Sequence, residues 1–475
     1  MTSLDEERAE QQRWNARLRR ADPAYDMLTA NEFDNARAHD DRTEKALSAM
    51  LRFAARQVPY YRDLFRLTGV DAFQPDPLKA LADLPILSKI DVQDNERSLR
   101  ADRMPSGETT VFVKMSSGTT EQPTKVLHSV NTARVFSALK QREYRWFRFD
   151  PGGTMAMIRI AAQLPRGEDR QELPYGKTQH LPAWLNVGGD FATGPFLGFS
   201  VTTSPESQIA WLREHKPDYL VTFSESLEHL AFTAGDKKPA ESLKGLLAIS
   251  DQMTADMRAH VERSFGAAVH QNYGLNEVGL VAARCEAGRY HVHTEACHVE
   301  IIAANGKACA PGEVGRLIVT GLKNWAMPLI RYDTDDLAKA VDGACPCGRT
   351  LPAFADIVGR YSQTAFLPEG TLGLVEGLRG AIDETPHPLT QGLRQFQIHQ
   401  CRDDSFELRL VSRKPIAEAF VERLQKAWSA HAPRPEQSLV IKRVDLIARS
   451  PGGKFQAFTS DFIPALDRRG SVPVP

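Results

Sequence analysis

The sequence predicts an α/β protein of two domains: a large N-terminal layered α/β domain with a β-rich subdomain over residues 1–359, and a small mobile α+β domain over residues 360–475. Three observations carry this. A chain of 475 residues exceeds the ~250–300 at which one hydrophobic core stops growing, so more than one domain is expected. Strand-like and helix-like runs alternate through the middle of the chain, the pattern of a sheet covered by helices. Composition shifts again near Arg360, and the roughly hundred residues that follow are of domain size.

Each element has its own signal. Residues 1 to about 75 are rich in Arg, Glu, Ala and Leu, with Ala46, Met50, Leu51 and Ala54 at helical spacing, which predicts a helical segment whose task is packing. Over 108–130, ETTVFVKM reads as a strand entering a Ser/Gly/Thr loop and VLHSV as the strand leaving it. TMAMIRIAA, YLVTFS and LLAIS are strand-like, whereas SPESQIAWLREH and TADMRAHVERSF are helix-like. Ser204 before Pro205 marks a helix start, because serine can cap and proline fits the first turn. After residue 297, HVEII, VGRLIVTGL and LAKAVDG are short strands between Gly and Pro turns. IVGRYSQ at 357–363 opens a block ending in LVIKRVDLIARSPGGKFQAF, a strand, a glycine-rich turn and a lysine.

Bulk properties exclude several classes. With 42% hydrophobic and 25% charged residues the chain is ordinary globular protein. Sixty acidic residues against 59 basic ones leave a formal charge of -1, so no global field attracts nucleic acid or an anionic membrane. The charged N-terminus has no apolar signal core, and no stretch approaches the ~20 apolar residues of a membrane span. Six cysteines in so long a chain do not form the dense framework of small secreted domains. A cytoplasmic protein with small-molecule partners is the expectation, with a homodimer as the oligomeric option carried forward.

The segment from Met115 to Lys125, MSSGTTEQPTK, combines hydroxyls, a glycine and a lysine, which lets backbone N–H groups and a positive charge converge on phosphates. A flexible Ser/Thr turn would read the same way in isolation. Further along stand Gln271-Asn272-Tyr273-Gly274-Leu275-Asn276-Glu277, Arg331-Tyr332-Asp333-Thr334-Asp335-Asp336-Leu337, Ile357-Val358-Gly359-Arg360 and Ser450-Pro451-Gly452-Gly453-Lys454. Together, in order and spacing, these resemble the adenylate-forming superfamily. PYYRDLF near 59, LPILSKIDV near 84, WAMPLIRYDTDDLA and CPCGRTLP bring the resemblance closer to the phenylacetate-coenzyme A ligase branch.

The resemblance implies ATP-dependent activation of a carboxylic acid as its acyl-AMP, with release of pyrophosphate and transfer to CoA. It implies phosphate contacts from Ser116, Ser117, Gly118, Thr119, Thr120 and Lys125. Asn272, Tyr273 and Gly274 would meet the nucleotide, Tyr273 by stacking on adenine. Glu277 would ligate Mg2+, Asp336 would accept from both ribose hydroxyls, and Arg360 would reach the nucleotide. Lys454, with Glu277 and Thr119, would form the catalytic set. Glu121 and Gln122 depart from the family's loop, and Asn276 replaces its usual threonine. Ser362 and Gln363 occupy a hinge usually formed by Asp or Lys and an acidic residue, which weakens the thioester-forming half of the reading. Two rivals therefore stay open: adenylation with transfer to an amine, a carrier protein or another nucleophile, and a non-catalytic nucleotide-binding protein.

Cys285, His291, Cys345 and Cys347 offer three thiols and an imidazole, a set suited to closed tetrahedral Zn2+. The spacing is unlike common zinc fingers, His293 rivals His291, and buried thiols with a satisfied histidine are the alternative. Members of the resembling branch share this arrangement, which implies a structural zinc. The acid pocket is expected at Phe223, Ser224, Asp251, Gln252, Tyr273 and Gly274. Flat rings there favour an aromatic acid, although core packing explains Phe223 equally well. Asp251 and Gln252 hint at an amino or hydroxyl substituent.

Overall fold

The computed structural model describes residues 4–18, 25, 28, 31, 32, 34–115, 124–165, 172–187, 189–249, 253, 255–303, 305–360, 393–403, 405–412, 414–431, 438–447 and 458–461. The chain opens with helices α1 (Leu4–Asn15), α2 (Ala36–Gln57), α3 (Pro59–Thr68), α4 (Pro77–Ala82) and α5 (Lys89–Asp94). Their starts follow local chemistry. Asn35 and Asp76 accept from the backbone N–H three residues on, and Ser88 with Asp91 forms a reciprocal capping box. α2 buries Leu47, Leu51 and Ala54 against Leu322, Met327, Leu329 and Ile330, and Met50 is buried as well, the packing role that the helical spacing implies.

Strands β1 (Thr110–Met115) and β2 (Lys125–Ser129) pair antiparallel, and helix α6 (Val130–Trp146) follows at once. The main sheet then takes β3 (Met155–Arg159), β4 (Gln179–Leu181), β5 (Phe196–Ser200), β6 (Tyr219–Phe223), β7 (Gly245–Ile249), β8 (Ala268–Leu275), β9 (Gly279–Arg284), β10 (Tyr290–Val292) and β14 (Ala353–Phe354). Its order is β14-β10-β9-β8-β7-β6-β3-β5-β4, with five parallel strands from β8 to β5 and antiparallel strands outside them. Helices α7 (Pro205–His215), α8 (Ser224–Ala234) and α9 (Ala255–Phe265) cover one face, where Leu246 and Ala248 pack with Leu212, Leu227 and Val261. The neighbouring Leu247 belongs to the other face, with Val135 and Leu139 of α6 and Trp14 of α1. Burial on both faces explains why these strands read as continuous apolar runs instead of alternating ones.

A second sheet, order β11-β12-β13-β15, is antiparallel: β11 (Cys297–Ile302), β12 (Val314–Gly321), β13 (Tyr332–Lys339) and β15 (Asp356–Arg360). It is the β-rich subdomain, although β13 begins five residues before the expected LAKAVDG run and so carries most of the Arg331 to Leu337 motif. The LPILSKIDV segment docks here. Leu87 N–H donates to the Arg331 carbonyl at 2.9 Å, and Asp333 N–H donates to that of Leu87 at 2.9 Å. Beyond residue 392, β16 (Leu393–Gln400), β17 (Phe406–Ser412), β18 (Leu439–Arg443) and β19 (Phe458–Ser460) form a mixed sheet with helix α10 (Glu418–His431). This unit has its own core around Ile398, Leu408, Leu424 and Trp428. No helix among the described residues is long and apolar enough to cross a membrane. The molecule is α/β, as expected.

Candidate active site and metal centre

Parallel sheets present their ligand sites at the carboxyl ends of the strands, and the motif residues gather at such an end. Tyr273 lies near the end of β8 and Asp336 in β13, 63 residues apart in sequence, yet the Tyr273 hydroxyl donates to Asp336 Oδ2 at 2.6 Å. Both side chains are buried. The Asp336 backbone N–H donates to Thr334 Oγ1 at 3.1 Å, and Thr334 Oγ1 donates to the Leu317 carbonyl, fixing the strand through a turn in which Asp335 takes a φ of 65°. Glu277 follows β8 at the same edge, with the Tyr332 hydroxyl donating to its Oε1 at 3.4 Å. Burial first, then the charge of Glu277, drives the Tyr332 hydroxyl well above its usual pKa. Arg360 pairs with Asp336 in the β13–β15 register.

Arg331 does structural work instead. Its guanidinium donates twice to Glu300, at 3.1 and 3.0 Å, and also to the Ala82 and Leu84 carbonyls. It thereby ties the N-terminal helices to the second sheet.

Of the phosphate-loop residues, Ser116, Ser117, Gly118, Thr119 and Thr120 lie outside the described residues; so do Lys454, Asp251 and Gln252. Lys125 opens β2, exposed and opposite Met115. Three residues on, His128 stacks on Phe112 and its Nε2 donates to the Asn276 carbonyl at 2.9 Å. Burial lowers the His128 pKa to about 4, so the ring is neutral and the strand leaving the loop is tied to the turn carrying Glu277. Phe223 and Ser224 stand where β6 passes into α8, both buried. Phe223 is part of the core beneath the sheet, while the Arg159 guanidinium lies 4.6 Å from its ring centroid. Lys114, whose pKa burial and then Arg159 lower, adds a second cation nearby.

Sequence reasoning missed the most heavily charged part of this region. On α6, Lys140, Arg142, Glu143 and Arg145 are all buried. Glu143 accepts from Lys140 Nζ at 2.9 Å and from Asn272 Nδ2 at 2.6 Å, and its other oxygen faces His293 Nε2 at 3.1 Å. Arg142 donates to His293 Nδ1 at 2.8 Å and grips Glu295 with two bonds of 3.1 Å. An arginine can only donate, so His293 accepts at Nδ1 and donates from Nε2. Its pKa is lowered, chiefly by burial. The signal in the sequence was the charge-rich run LKQREYRW in the helix that follows the strand leaving the loop.

Cys285, His291, Cys345 and Cys347 converge, with ligand atoms all within 4.8 Å of one another. Cys285 follows β9, His291 is the middle residue of β10, and Cys345 to Cys347 sit on a turn closed by a Gly348 N–H to Cys345 carbonyl bond. Gly348 takes a φ of 84°, a conformation suited to glycine. The Cys285 and Cys345 sulfurs are 3.7 Å apart, and Cys347 Sγ is 3.2 Å from His291 Nε2; a tetrahedral zinc with ~2.3 Å sulfur bonds would set sulfurs about 3.8 Å apart. His291 Nδ1 donates to the Leu351 carbonyl at 2.9 Å, leaving Nε2 as the ligand atom, the support usual behind metal-bound histidines. Neighbouring Cys285 and His291 pull the Cys347 thiol well below its ordinary pKa. The donor set fits zinc, and His291 is the histidine that joins it. His293 is committed to Glu143 and Arg142.

No family model matches the chain. Among curated proteins, the phenylacetate-coenzyme A ligase of Thermus thermophilus is 27% identical over 337 residues, which are 67% of this chain and 69% of that protein. That of Aromatoleum evansii is 30% identical over 337 residues, 65% and 68% of the two chains. Among solved structures, a 2-hydroxyisobutyryl-CoA ligase in its postadenylation state matches with a TM-score of 0.69 at 18% identity, covering 90% of this chain and 91% of that one. An anthranilate CoA ligase in complex with anthranoyl-AMP matches at 0.53 and 12% identity over 72% and 64% of the chains. These two likenesses establish the fold.

Proposed function

The chain belongs to the phenylacetate-coenzyme A ligase family, and we propose that it is an ATP-dependent ligase that converts a carboxylic acid to its acyl-AMP and then to its CoA thioester. The observation that carries this reading is the meeting of Tyr273, Asp336 and the Glu277–Tyr332 pair at one sheet edge. Tyr273 offers a face for adenine, and the two Asp336 oxygens can accept from paired ribose hydroxyls. The substrate carboxylate attacks the α-phosphorus and pyrophosphate leaves, a reaction governed by positioning and by cations aimed at the phosphate charge. Lys454 would supply one such cation, and the loop from Ser116 to Lys125 would hold the departing phosphates. Glu277 would hold magnesium, which when bound offsets phosphate charge. Cys285, His291, Cys345 and Cys347 would hold a structural zinc that closes the β9–β10 turn onto the segment before β14.

We read residues 360–475 as a lid carrying Lys454, the boundary falling beside β15, and the cytoplasm as the compartment. The acid is read as aromatic, resting on the Phe223 and Tyr273 rings. Ser362 and Gln363 in the hinge favour a second reading in which the activated group goes to an amine or carrier protein.

The test is a panel of acids with ATP and magnesium, read for pyrophosphate release with and without CoA. AMP and a thioester formed only with CoA support the ligase, and pyrophosphate release with no CoA thioester supports the second reading. No release with any acid sinks both. Lys454→Ala should abolish adenylation while leaving ATP binding largely intact; full turnover in that variant removes its assigned role.

A further inference from the structure

Lys323 has no part in the proposed adenylation, yet it stands at its edge. It follows β12 in a turn that the neighbouring Asn324 fixes, the Asn324 side-chain amide donating to the Leu127 and Met327 carbonyls at 2.8 and 3.0 Å. Lys323 lines a cavity walled by Val135, Phe136 and Leu139 of α6 and by Leu280 of β9, and Glu277 lines the same cavity. The cavity is therefore apolar in its body and reaches the residue that the proposed adenylation sets beside the phosphates.

A lysine withdrawn from water usually has an acid to pair with. Lys323 is half-buried, and among the described residues its ammonium has no hydrogen bond or ion pair. The one acid that acts on it is Glu295, whose two oxygens are already held by Arg142 at 3.1 Å each. Burial lowers the Lys323 pKa against that pull. A larger share of its amine thus carries a free lone pair than on an exposed lysine, the condition for a lysine nucleophile.

We infer that Lys323 is an acyl acceptor within the chain, its amine taking the acyl group of the acyl-AMP to give an Nε-acyl-lysine; the inference rests on the proposed adenylation. The neutral Nζ attacks the acyl carbonyl carbon, a C–N bond forms, and the bond from that carbon to the phosphate oxygen breaks. AMP leaves, and the proton shed by the nitrogen passes to solvent. The apolar walls take the acyl body, and the new amide removes a positive charge from the cavity.

The experiment incubates the full chain with ATP, magnesium and a panel of acids, phenylacetate and benzoate among them, without CoA, and digests it with trypsin. An acylated lysine is not cut, so the peptide Leu317–Arg331 should appear intact and heavier by an acyl group in place of a hydrogen. Proximity raises the local concentration, so occupancy at Lys323 should exceed that at the exposed Lys79 and Lys307 by about tenfold or more. Lys323→Arg keeps the cation and should lose the adduct while pyrophosphate release persists. Should that variant fail to fold, the map of modified lysines in the wild-type protein decides alone. Hydroxylamine in a parallel mixture traps acyl-AMP as its hydroxamate and reports adenylation separately. Hydroxamate with Lys323 unmodified, or with the label spread evenly over Lys79, Lys307 and Lys323, overturns the inference. Neither pyrophosphate nor hydroxamate with any acid instead removes the adenylation reading beneath it.

Discussion

At the scale of single residues, the Tyr273–Asp336 contact is the most informative. A hydroxyl 2.6 Å from a buried carboxylate oxygen marks where a ligand hydroxyl can be accepted, because the carboxylate has further lone pairs to offer. Hydrogen bonds to a charged group contribute about 1.5–3 kcal/mol. Asp336→Asn should therefore raise the KM for ATP roughly 10- to 100-fold while moving the melting temperature little. The wild-type protein should also discriminate against 2′-deoxy-ATP, and the variant should not. Equal use of the two nucleotides by the wild-type protein would remove Asp336 from ribose recognition. Asp336 was legible in the sequence because its motif carries a position-specific aspartate. Glu143 was not, because an acid one turn from Lys140 on a helix looks like a solvated one until His293 and Asn272 are brought in from elsewhere in the chain.

At the scale of elements, the cluster of Cys285, His291, Cys345 and Cys347 gathers β9, β10 and the approach to β14 around one point. β10 pairs with β9 over three residues, whereas its pairing with β14 is confined to Tyr290 and His291. Replacing Cys347 by Ser should drop bound zinc below half an equivalent and lower the melting temperature by ~5–10 °C, with ATP affinity changed less than stability. Metal analysis and calorimetry check both; a variant with full zinc and an unchanged melting temperature would deny the ligand role. Strands β6, β7 and β12 were readable from apolar runs because both faces or one full face are buried. Helix α6 was not, since Lys140, Arg142, Glu143 and Arg145 obscure the amphipathic period on which such a reading depends. Burial of that helix is compensated by ion pairs, and those are set by tertiary neighbours.

Across the whole molecule, neutral histidines, one buried and two half-buried, give stability a definite pH dependence. His128 in β2, His270 in β8 and His298 in β11 each have a pKa lowered to about 4, burial being the first cause in every case. Unfolded, each would titrate near the ordinary 6.5. Between roughly pH 6.5 and 4 the unfolded chain therefore binds protons that the folded chain refuses, so stability is fully present above that window and falls as pH falls through it. Each group contributes a slope of at most about 1.4 kcal/mol per pH unit, and the three lie in separate elements, so their effects should add. His270 stacks on Phe147 with ring centroids 4.7 Å apart and lies edge-on to Phe149, surroundings that accept a phenyl ring. His270→Phe should consequently keep the fold and reduce the slope by at most about 1.4 kcal/mol per pH unit, His293 and His39 leaving a remainder of the same sign. Urea unfolding at intervals between pH 7 and 4.5 measures it, and a Cys347→Ser background separates the histidines from acid release of metal. A free energy of unfolding that stays level across that range would mean that these rings are solvated in the folded protein and that the sheet interfaces they occupy are open to water.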